Sequence, residues 1–364
     1  MILHLYVARR FLAAFATVFA ALSAVYVLGA TIEYLRRFGG TADMMQISRL
    51  TLLGLPGYMY RLLPLVVILS TLFLFLGFSR SSEMVVTRAA GRPALVTLMA
   101  PVLVVFLLGV AALVMVKPII AATAHESARL IQRIDGGEVS SVSVSEEGLW
   151  LRQGDGTGQT VIHAKRASPD GLRLSDVSFY AFSNDGVPVQ RIQAEVAELE
   201  SGRWALTNAK VWDLRDLTNP ERAAIVTKRY FLASSLTPDR ITGGIDDPSV
   251  LPMWELPRFI RQLRDAGFST RRHQVWFQSE LAMPFFLMAM AMIGGAFTMR
   301  HTRLGQTGLL SLFAVLFGFG IYFIRNFATI LGENGQIPVA VAAWTPPITA
   351  MMLALGIILH LEDG

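Results

Sequence analysis

Six stretches of the chain are each long and apolar enough to cross a lipid bilayer. A membrane-spanning helix needs about 20 predominantly apolar residues, and the stretches that meet this length are residues 11–32, 55–78, 95–116, 275–299, 304–324 and 337–359. Apolar residues make up 53% of the 364-residue chain and charged residues only 16%, with a mean hydropathy of +0.49. Ordinary soluble proteins are less apolar. We therefore predict an integral membrane protein with six transmembrane α-helices.

Arginines beside the apolar stretches predict the orientation of the chain. The first stretch follows Arg9 and Arg10 and has no small-residue cleavage site before Glu33, so we predict a retained span and not a signal peptide. Cytoplasmic loops are enriched in basic residues. With a cytoplasmic N-terminus, the inner loops hold the larger set, Arg9, Arg10, Arg80, Arg88, Arg92, Arg300 and Arg303, and the outer short loops hold Arg36, Arg37 and Arg49. Both termini are therefore predicted to be cytoplasmic.

The long segment between the third and fourth stretches has a different pattern. Apolar and polar residues alternate in QTVIHAKRA and LRLSDVSFYAFS, and turn sequences such as NDG separate the alternating runs. This pattern predicts antiparallel β-strands in a sandwich or roll. Near the end, Leu256, Ile260 and Leu263 share one face of a helical pattern that stops at Gly267. The predicted organisation is residues 1–116 with three membrane helices, residues 117–274 with an exported all-β domain ending in an amphipathic helix, and residues 275–364 with three further membrane helices.

A short polar segment, SRSSEMVVTRAAGR, connects the second and third stretches on the predicted cytoplasmic side. Ser81 or Ser82 can cap a helix, Glu83 would lie in its first turn where the helix dipole favours an anion, and Gly91 is a termination signal. We predict a short helix over about residues 80–91. From the residues alone, two interpretations fit: an ordinary capped loop helix, or a helix that docks on a partner.

Composition and motifs exclude several classes of function. The chain has no cysteine, which excludes disulfides and thiolate metal sites. Its net charge is +5, but the arginines are scattered among apolar stretches and form no basic stripe for nucleic acid. The motifs G-x-x-x-x-G-K-[ST], H-E-x-x-H and G-x-S-x-G are absent. We expect no catalytic site, no metal, no cofactor and no nucleic-acid partner, so any energy from ATP must come from a partner.

Charged residues beside the spans allow two interpretations each. Arg36 and Arg37 follow the first span, where arginine can anchor a helix at the interface or bind lipid phosphates. Glu280 lies shortly inside the fourth span, where an ionisable group is a functional candidate or an interfacial residue.

Two other classes of function compete with transport. One is a membrane-anchored hydrolase of an envelope lipid, and the other is a scaffold whose β domain only binds partners. A hydrolase needs a convergent acid, base and nucleophile. The residues available for that role, Asp170, Asp176, His163 and Ser178, define no such set by their spacing.

The segment SRSSEMVVTRAAGR resembles the coupling segment of the LptF/LptG lipopolysaccharide-export permeases, whose pattern is approximately S-E-hydrophobic-x-x-x-x-A-x-G. Similar stretches follow in order along nearly the whole chain: YLRRFGG, EEGLWLRQ, FYAFSNDG, RWALTNAKVWDL, LTPDR and LPRFIRQLRDAGFSTRRHQVWFQSELAMPFF. Each stretch is a weak signal alone, and together with the layout of three spans, a β domain and three spans they are a strong one. LRRFGG, GLW, YAF and LTPD resemble LptG more than LptF.

The resemblance implies an integral membrane α-helical fold of six transmembrane helices with an inserted periplasmic all-β jellyroll-like domain. It implies a permease subunit of an ABC-type exporter in the inner (cytoplasmic) membrane of a Gram-negative bacterium. Such a subunit extracts lipopolysaccharide and passes it to a periplasmic bridge, using a partner's ATP hydrolysis. The implied partners are an LptF-type permease subunit, an LptB-type ATPase dimer, LptC-type and LptA-type bridge proteins, and lipopolysaccharide. The alternative is the sister LptF-type subunit.

The resemblance also implies where partners and substrate bind. Contact with the ATPase is expected at Glu83, Thr87, Arg88, Ala90 and Gly91. Binding of lipopolysaccharide is expected at Tyr34, Arg36 and Arg37, where acyl chains would meet an aromatic ring and phosphates would meet two guanidinium groups.

Overall fold

The computed structural model of the chain contains two compact units. The first unit combines residues 1–130 with residues 274–364, and the second contains residues 131–273. The residues that the structure describes are 2–81, 83–84, 93–135, 141–145, 148–154, 158–168, 171–183, 185–200, 202–215, 221–222, 224–234, 236, 251–298 and 307–362. We call the first the membrane unit and the second the β unit.

Helices build the membrane unit, and along the chain they also precede and follow the strands of the β unit. In chain order the described helices are α1 Ile2–Phe38, α2 Met44–Arg80, α3 Ala94–Ala111, a π-helical segment Ala112–Val116, α4 Lys117–Asp135, α5 Leu256–Asp265, α6 Arg271–Leu281, α7 Met283–Thr298, α8 Thr307–Glu333 and α9 Val339–Glu362. By length and composition, five helices of the described chain can cross a membrane, and a sixth span results if α6 and α7 count as one. The prediction of a six-span membrane protein with an inserted β domain is confirmed at this level.

α1 and α2 form a long antiparallel hairpin. Each helix has 37 residues, which corresponds to about 55 Å at 1.5 Å per residue and exceeds the roughly 30 Å hydrocarbon core of a bilayer. Asp43 caps α2: its carboxylate accepts a hydrogen bond from the Met44 N–H at 2.7 Å, and Gln46 Oε1 accepts one from the Asp43 N–H at 3.0 Å. The reciprocal cap fixes the point at which the chain turns into α2.

The fourth span is broken between α6 and α7. The two helices meet at Ala282 with a bend of 49°. Pro284 lies in the first turn of α7, and it has no N–H to donate to the carbonyl of Glu280 four residues earlier. Loss of that helical hydrogen bond and the bulk of the proline ring account for the bend.

Small residues allow the membrane helices to approach one another closely. A Cβ added to Gly109 of α3 would lie 2.8 Å from Cα of Pro284, and one added to Gly295 of α7 would lie 2.5 Å from Cδ1 of Leu98. Helix packing in membranes depends on such contacts, because lipid tails are as apolar as the side chains and provide no hydrophobic driving force between helices. α7 is consequently the buried centre of the unit, in contact with α2, α3, α8 and α9.

The β unit contains one antiparallel sheet of seven described strands. They are β1 Ser141–Ser145, β2 Gly148–Gly154, β3 Gly158–Ala167, β4 Arg173–Ser183, β5 Pro188–Glu200, β6 Arg203–Asp213 and β7 Ile225–Ala233. Each strand pairs with the next, so the order across the sheet is the order along the chain. The all-β prediction is confirmed. The jellyroll-like description stays a prediction, because the described strands form a simple meander and a jellyroll needs Greek-key crossings.

One face of the sheet holds the core of the β unit, and α5 packs on it. Trp204 and Phe179 are buried there with their rings 6.1 Å apart, and Leu263 of α5 is buried in the same cluster. The Phe268 N–H bonds to the Leu263 carbonyl at 2.9 Å, and Gly267 has a φ of +89°. These features are a Schellman cap that ends α5 at the glycine where the helical pattern of the sequence stops.

The unit boundaries differ from those that hydropathy suggests. The sequence places the start of the β domain at residue 117, where Lys117 ends the third apolar stretch. In the structure the helical path continues through the π-helical segment into α4, and the β unit begins at Ile131. At the other end the sequence gives 274, and the structure assigns His273 to the β unit and Gln274 to the membrane unit.

Candidate functional site

The lipid-binding residues predicted from sequence lie together at the C-terminal end of α1. Arg36 Nη2 lies 3.0 Å from both carboxylate oxygens of Glu33, and the two side chains are 78% and 59% exposed. The Arg37 guanidinium carbon lies 4.9 Å from the centre of the Phe38 ring, and Tyr34 stacks on the same ring at 6.3 Å. Phe38 is buried and thus anchors the aromatic side of the group. Both guanidinium groups are exposed, and that of Arg36 is paired with an internal carboxylate.

A second ion pair lies at the same end of the membrane unit. Arg49 Nη2, in the second turn of α2, lies 2.8 Å from Glu126 Oε1 of α4. Its side chains are 58% and 33% exposed. The pair links α2 to α4 next to the α1–α2 turn, and Arg49 is thus paired with a carboxylate of its own chain.

Glu83, which the sequence predicts to contact the ATPase, lies at the opposite end of α1 and α2. The Tyr6 hydroxyl donates a hydrogen bond to Glu83 Oε2 at 3.1 Å, and the Ser81 hydroxyl donates one to Oε1 at 2.9 Å. Arg10 Nε donates in turn to the Tyr6 oxygen at 3.1 Å. Glu83 is therefore held against the first helix of the chain. The other predicted coupling residues, Thr87, Arg88, Ala90 and Gly91, lie outside the described residues.

A groove opens between α1 and α2 beside Glu83. Its volume is about 390 Å³. Arg10 and Glu83 supply charged groups to its wall, and Val18, Leu74 and Phe78 supply apolar surface. A small movement of the segment after Ser81 would change this wall, because Ser81 and Glu83 are both part of it.

A buried charge cluster, missed as a unit by sequence reasoning, joins three helical segments. Lys117 Nζ at the start of α4 lies 2.7 Å from Glu280 Oε1 of α6, and both side chains are 5% exposed. The Tyr60 hydroxyl of α2 donates to Glu280 Oε2. Lys117 Nζ also lies 4.4 Å from the Tyr60 ring centre and 4.5 Å from the Trp276 ring centre. We call Tyr60, Lys117, Trp276 and Glu280 the buried charge cluster.

The sequence contains a signal that could have led to this cluster. Four apolar runs are each bounded by one ionisable residue, namely Arg61, Lys117, Glu280 and Arg325. Lys117 and Glu280 meet directly, Arg61 follows Tyr60 in the chain, and the Arg325 guanidinium carbon lies 4.9 Å from the ring of Phe286 of α7. Charged residues that end apolar runs at the same depth in the membrane are expected to pair with one another, because an unpaired charge is costly there.

An apolar groove lies near the same level between α2, α7 and α8. It has a volume of about 220 Å³, and its lining includes Ile68, Met290 and Phe319. Arg61 is also part of its lining. Nothing in the described part of the chain brings three or more metal-ligating side chains together.

The residues considered for a hydrolase are arranged for other contacts. His163 on β3 and Ser178 on β4 are partners across the sheet, and the His163 ring lies 4.2 Å from the Trp150 ring. Asp176 Oδ2 lies 3.8 Å from Arg166 Nη2. Asp170 lies outside the described residues.

Comparison with known proteins gives one result that covers nearly the whole chain. The sequence profile of a family described as Lipopolysaccharide export system permease LptF/LptG matches residues 5–361. The matched range contains the membrane unit on both sides and the whole β unit. Compared one by one with curated proteins, the chain matches none.

Proposed function

The chain belongs to the LptF/LptG family of lipopolysaccharide export system permeases, and we propose that it is the LptG-type subunit of an ABC-type exporter in the inner membrane of a Gram-negative bacterium. In this role it extracts lipopolysaccharide from the inner membrane and delivers it to a periplasmic bridge. The observation that carries the proposal is the family match over residues 5–361, which includes both structural units. The family is a component of a transporter and not an enzyme.

The proposed energy source is a partner ATPase. The chain has no G-x-x-x-x-G-K-[ST] motif to hold nucleotide phosphates. We assign the ATPase role to an LptB-type dimer and the second permease half to an LptF-type subunit. The termini are then cytoplasmic and the β unit periplasmic, as the arginine distribution favours.

The proposed contact with the ATPase is the segment that begins at Glu83. Its carboxylate lies at one end of the membrane unit and already accepts hydrogen bonds from Tyr6 and Ser81. A carboxylate of this kind can form charge-assisted hydrogen bonds to basic groups of a docked subunit. Displacement of the segment would be transmitted to α1 through the hydrogen bond between Tyr6 and Glu83.

The proposed contact with the periplasmic bridge is an edge of the sheet. Among the described strands, β7 pairs only with β6. Ile225, Val226 and Phe231 on β7 are exposed apolar residues. An edge strand with free backbone groups and exposed apolar side chains can accept a strand from another chain, and we assign this role to LptC-type and LptA-type proteins.

Assignment to LptG and not to LptF rests on the stretches LRRFGG, GLW, YAF and LTPD. The LptF-type subunit is the alternative within the same exporter. Copurification distinguishes the two: an LptG-type chain assembles with LptB and LptF in the absence of a further LptG, and an LptF-type chain requires LptG.

The experiment that tests the proposal is reconstitution of the copurified complex in vesicles that contain lipopolysaccharide. We expect an ATPase and a second permease subunit to remain bound in detergent, and ATP to drive release of lipopolysaccharide to a bridge protein. A stable solitary chain that neither binds an ATPase nor releases lipid would contradict the proposal.

A pair of variants tests the coupling contact in the same assay. Glu83→Ala removes the charge and should abolish or strongly reduce both ATPase association and lipid release. Ser81→Ala is the matched control, because it removes one internal hydrogen bond of Glu83 and keeps the carboxylate. Full association and release by Glu83→Ala would show that the contact lies elsewhere.

A further inference from the structure

The buried charge cluster connects two irregular points of the described membrane helices. Lys117 directly follows the π-helical segment Ala112–Val116. Glu280 lies two residues before Ala282, where α6 and α7 meet at 49°. π-helical turns and proline-associated breaks are points at which a helix can change its path, and they occur frequently at functional sites. The ion pair therefore fixes two adjustable points of the bundle to each other.

Stability alone does not explain why the pair is present. Removing two charges from water costs about as much as their attraction returns, and replacement of a buried pair by apolar residues of similar volume is often neutral or stabilising. A buried pair does specify one arrangement of its helices, since any other leaves a charge without a partner. In the described chain, Lys117 and Glu280 form the ion pair in which both side chains are buried.

Two other cations lie beside residues that surround Glu280. Arg61 is adjacent to Tyr60, whose hydroxyl donates to Glu280. Arg325 of α8 lies over the ring of Phe286 of α7, which follows Glu280 of α6 across the break at Ala282.

We propose that the buried charge cluster is a releasable lock that holds α4 against the α6–α7 break in the lipid-free protein and opens during transport. Tyr60 and Trp276 position the two charges, through the hydroxyl on Glu280 and through the aromatic faces on Lys117. The lock itself is a property of this chain. That lipid opens it rests on the proposed function.

The absence of cysteine makes the lock directly measurable. The natural chain contains none, so the two introduced cysteines carry the only spin labels on this chain. Ala122→Cys on α4 and Leu281→Cys at the end of α6 are suitable because both positions are exposed. Distances between the labels are recorded by pulsed electron paramagnetic resonance on the complete complex in lipid nanodiscs, with and without lipopolysaccharide.

Three forms of the cluster are compared in that label background. The wild-type cluster should give a narrow distance distribution without lipid, and Tyr60→Phe, which keeps the ion pair and the ring but removes the hydroxyl on Glu280, should broaden it less than the loss of both charges does. Lys117→Met/Glu280→Leu, which removes both charges together, should give a broadened one. Lipopolysaccharide should shift the wild-type distribution and change that of the double variant by less than half as much. The melting temperature of the double variant should stay within a few degrees of wild type, which shows that it folds.

Each contrary result has a distinct meaning. Equal distributions for wild type and Lys117→Met/Glu280→Leu without lipid would overturn the lock. If lipid stimulates ATP hydrolysis but does not shift the wild-type distance distribution, the lock does not open during transport, and the proposed function stands. If lipid neither binds nor stimulates hydrolysis, the proposed function fails, and the lock is still decided by the lipid-free comparison.

Discussion

The Lys117–Glu280 and Arg36–Glu33 pairs differ little in geometry and greatly in environment. Their closest N–O distances are 2.7 and 3.0 Å. The first pair has side chains that are 5% exposed, whereas those of the second are 78% and 59% exposed. The first joins helices that are far apart in sequence, and the second joins residues one turn apart on α1.

The environment decides what each pair does. Attraction between charges grows as water is excluded, and so does the cost of losing one partner. An exposed pair contributes between about 0 and 1 kcal/mol, and its guanidinium can exchange one anion for another. Lys117 is therefore committed to the internal structure of the protein, and Arg36 is available for a ligand.

The largest expected effect follows from removal of one buried charge. Lys117→Met leaves the Glu280 carboxylate in an apolar environment without its cation. We expect the free energy of unfolding to fall by about 3–5 kcal/mol. Thermal and denaturant unfolding of the purified complex measure the loss.

The double variant Lys117→Met/Glu280→Leu is the control for that loss. Removal of both charges leaves no unpaired ion, so its stability should return to within about 1.5 kcal/mol of wild type. If Lys117→Met alone lowered the free energy of unfolding by less than about 1 kcal/mol, the value for an exposed pair, the buried and exposed environments would not differ in their effect on stability.

The Arg49–Glu126 pair has an intermediate environment and sharpens the comparison. Its side chains are 58% and 33% exposed, and it links α2 to α4. Arg49→Gln should lower the free energy of unfolding by at most about 1 kcal/mol, with Arg49→Lys as the control that keeps the charge. A loss near that of Lys117→Met would show that position in the bundle matters more than burial.

Local features of the molecule could be predicted from sequence, and its long-range pairings could not. The spans, the alternating strands and the Gly267 cap depend on residues near one another in the chain, so periodicity and termination signals were sufficient. Lys117 and Glu280 are 163 positions apart. Their contact depends on how α4 and α6 pack, which hydropathy does not encode. Sequence identified Glu280 as an ionisable group at membrane depth, but it did not select Lys117 over Arg61 or Arg325 as the partner.

An exposed pair on the β unit tests the same contrast through pH. Arg215 donates to Asp213 through Nε at 3.0 Å and Nη2 at 2.7 Å, and these hydrogen bonds lower the pKa of Asp213 from 3.8 to about 2. A depressed pKa means that the pair stabilises the fold above about pH 3.8 and loses this effect as the pH falls through about 2. The melting temperature of wild type should exceed that of Asp213→Asn slightly at about pH 5, and the difference should vanish near pH 2. A difference that persists at the lower pH would exclude the carboxylate as its cause.

The smallest effect on stability, and a large one on lipid, is expected at the exposed end of α1. Replacing Arg36 and Arg37 by glutamine should change the free energy of unfolding by no more than about 0.5 kcal/mol, as for most surface substitutions. It should weaken crosslinking to lipopolysaccharide and the lipid-stimulated ATP hydrolysis, because planar guanidinium groups bind phosphate in a bidentate manner. The double lysine variant keeps the charge and should retain part of both. Glu33→Gln removes the internal competitor for Arg36 and should strengthen lipid binding at low salt. Normal lipid crosslinking by the double glutamine variant would make these arginines interfacial anchors, and the available cation would then have to be sought elsewhere in the membrane unit.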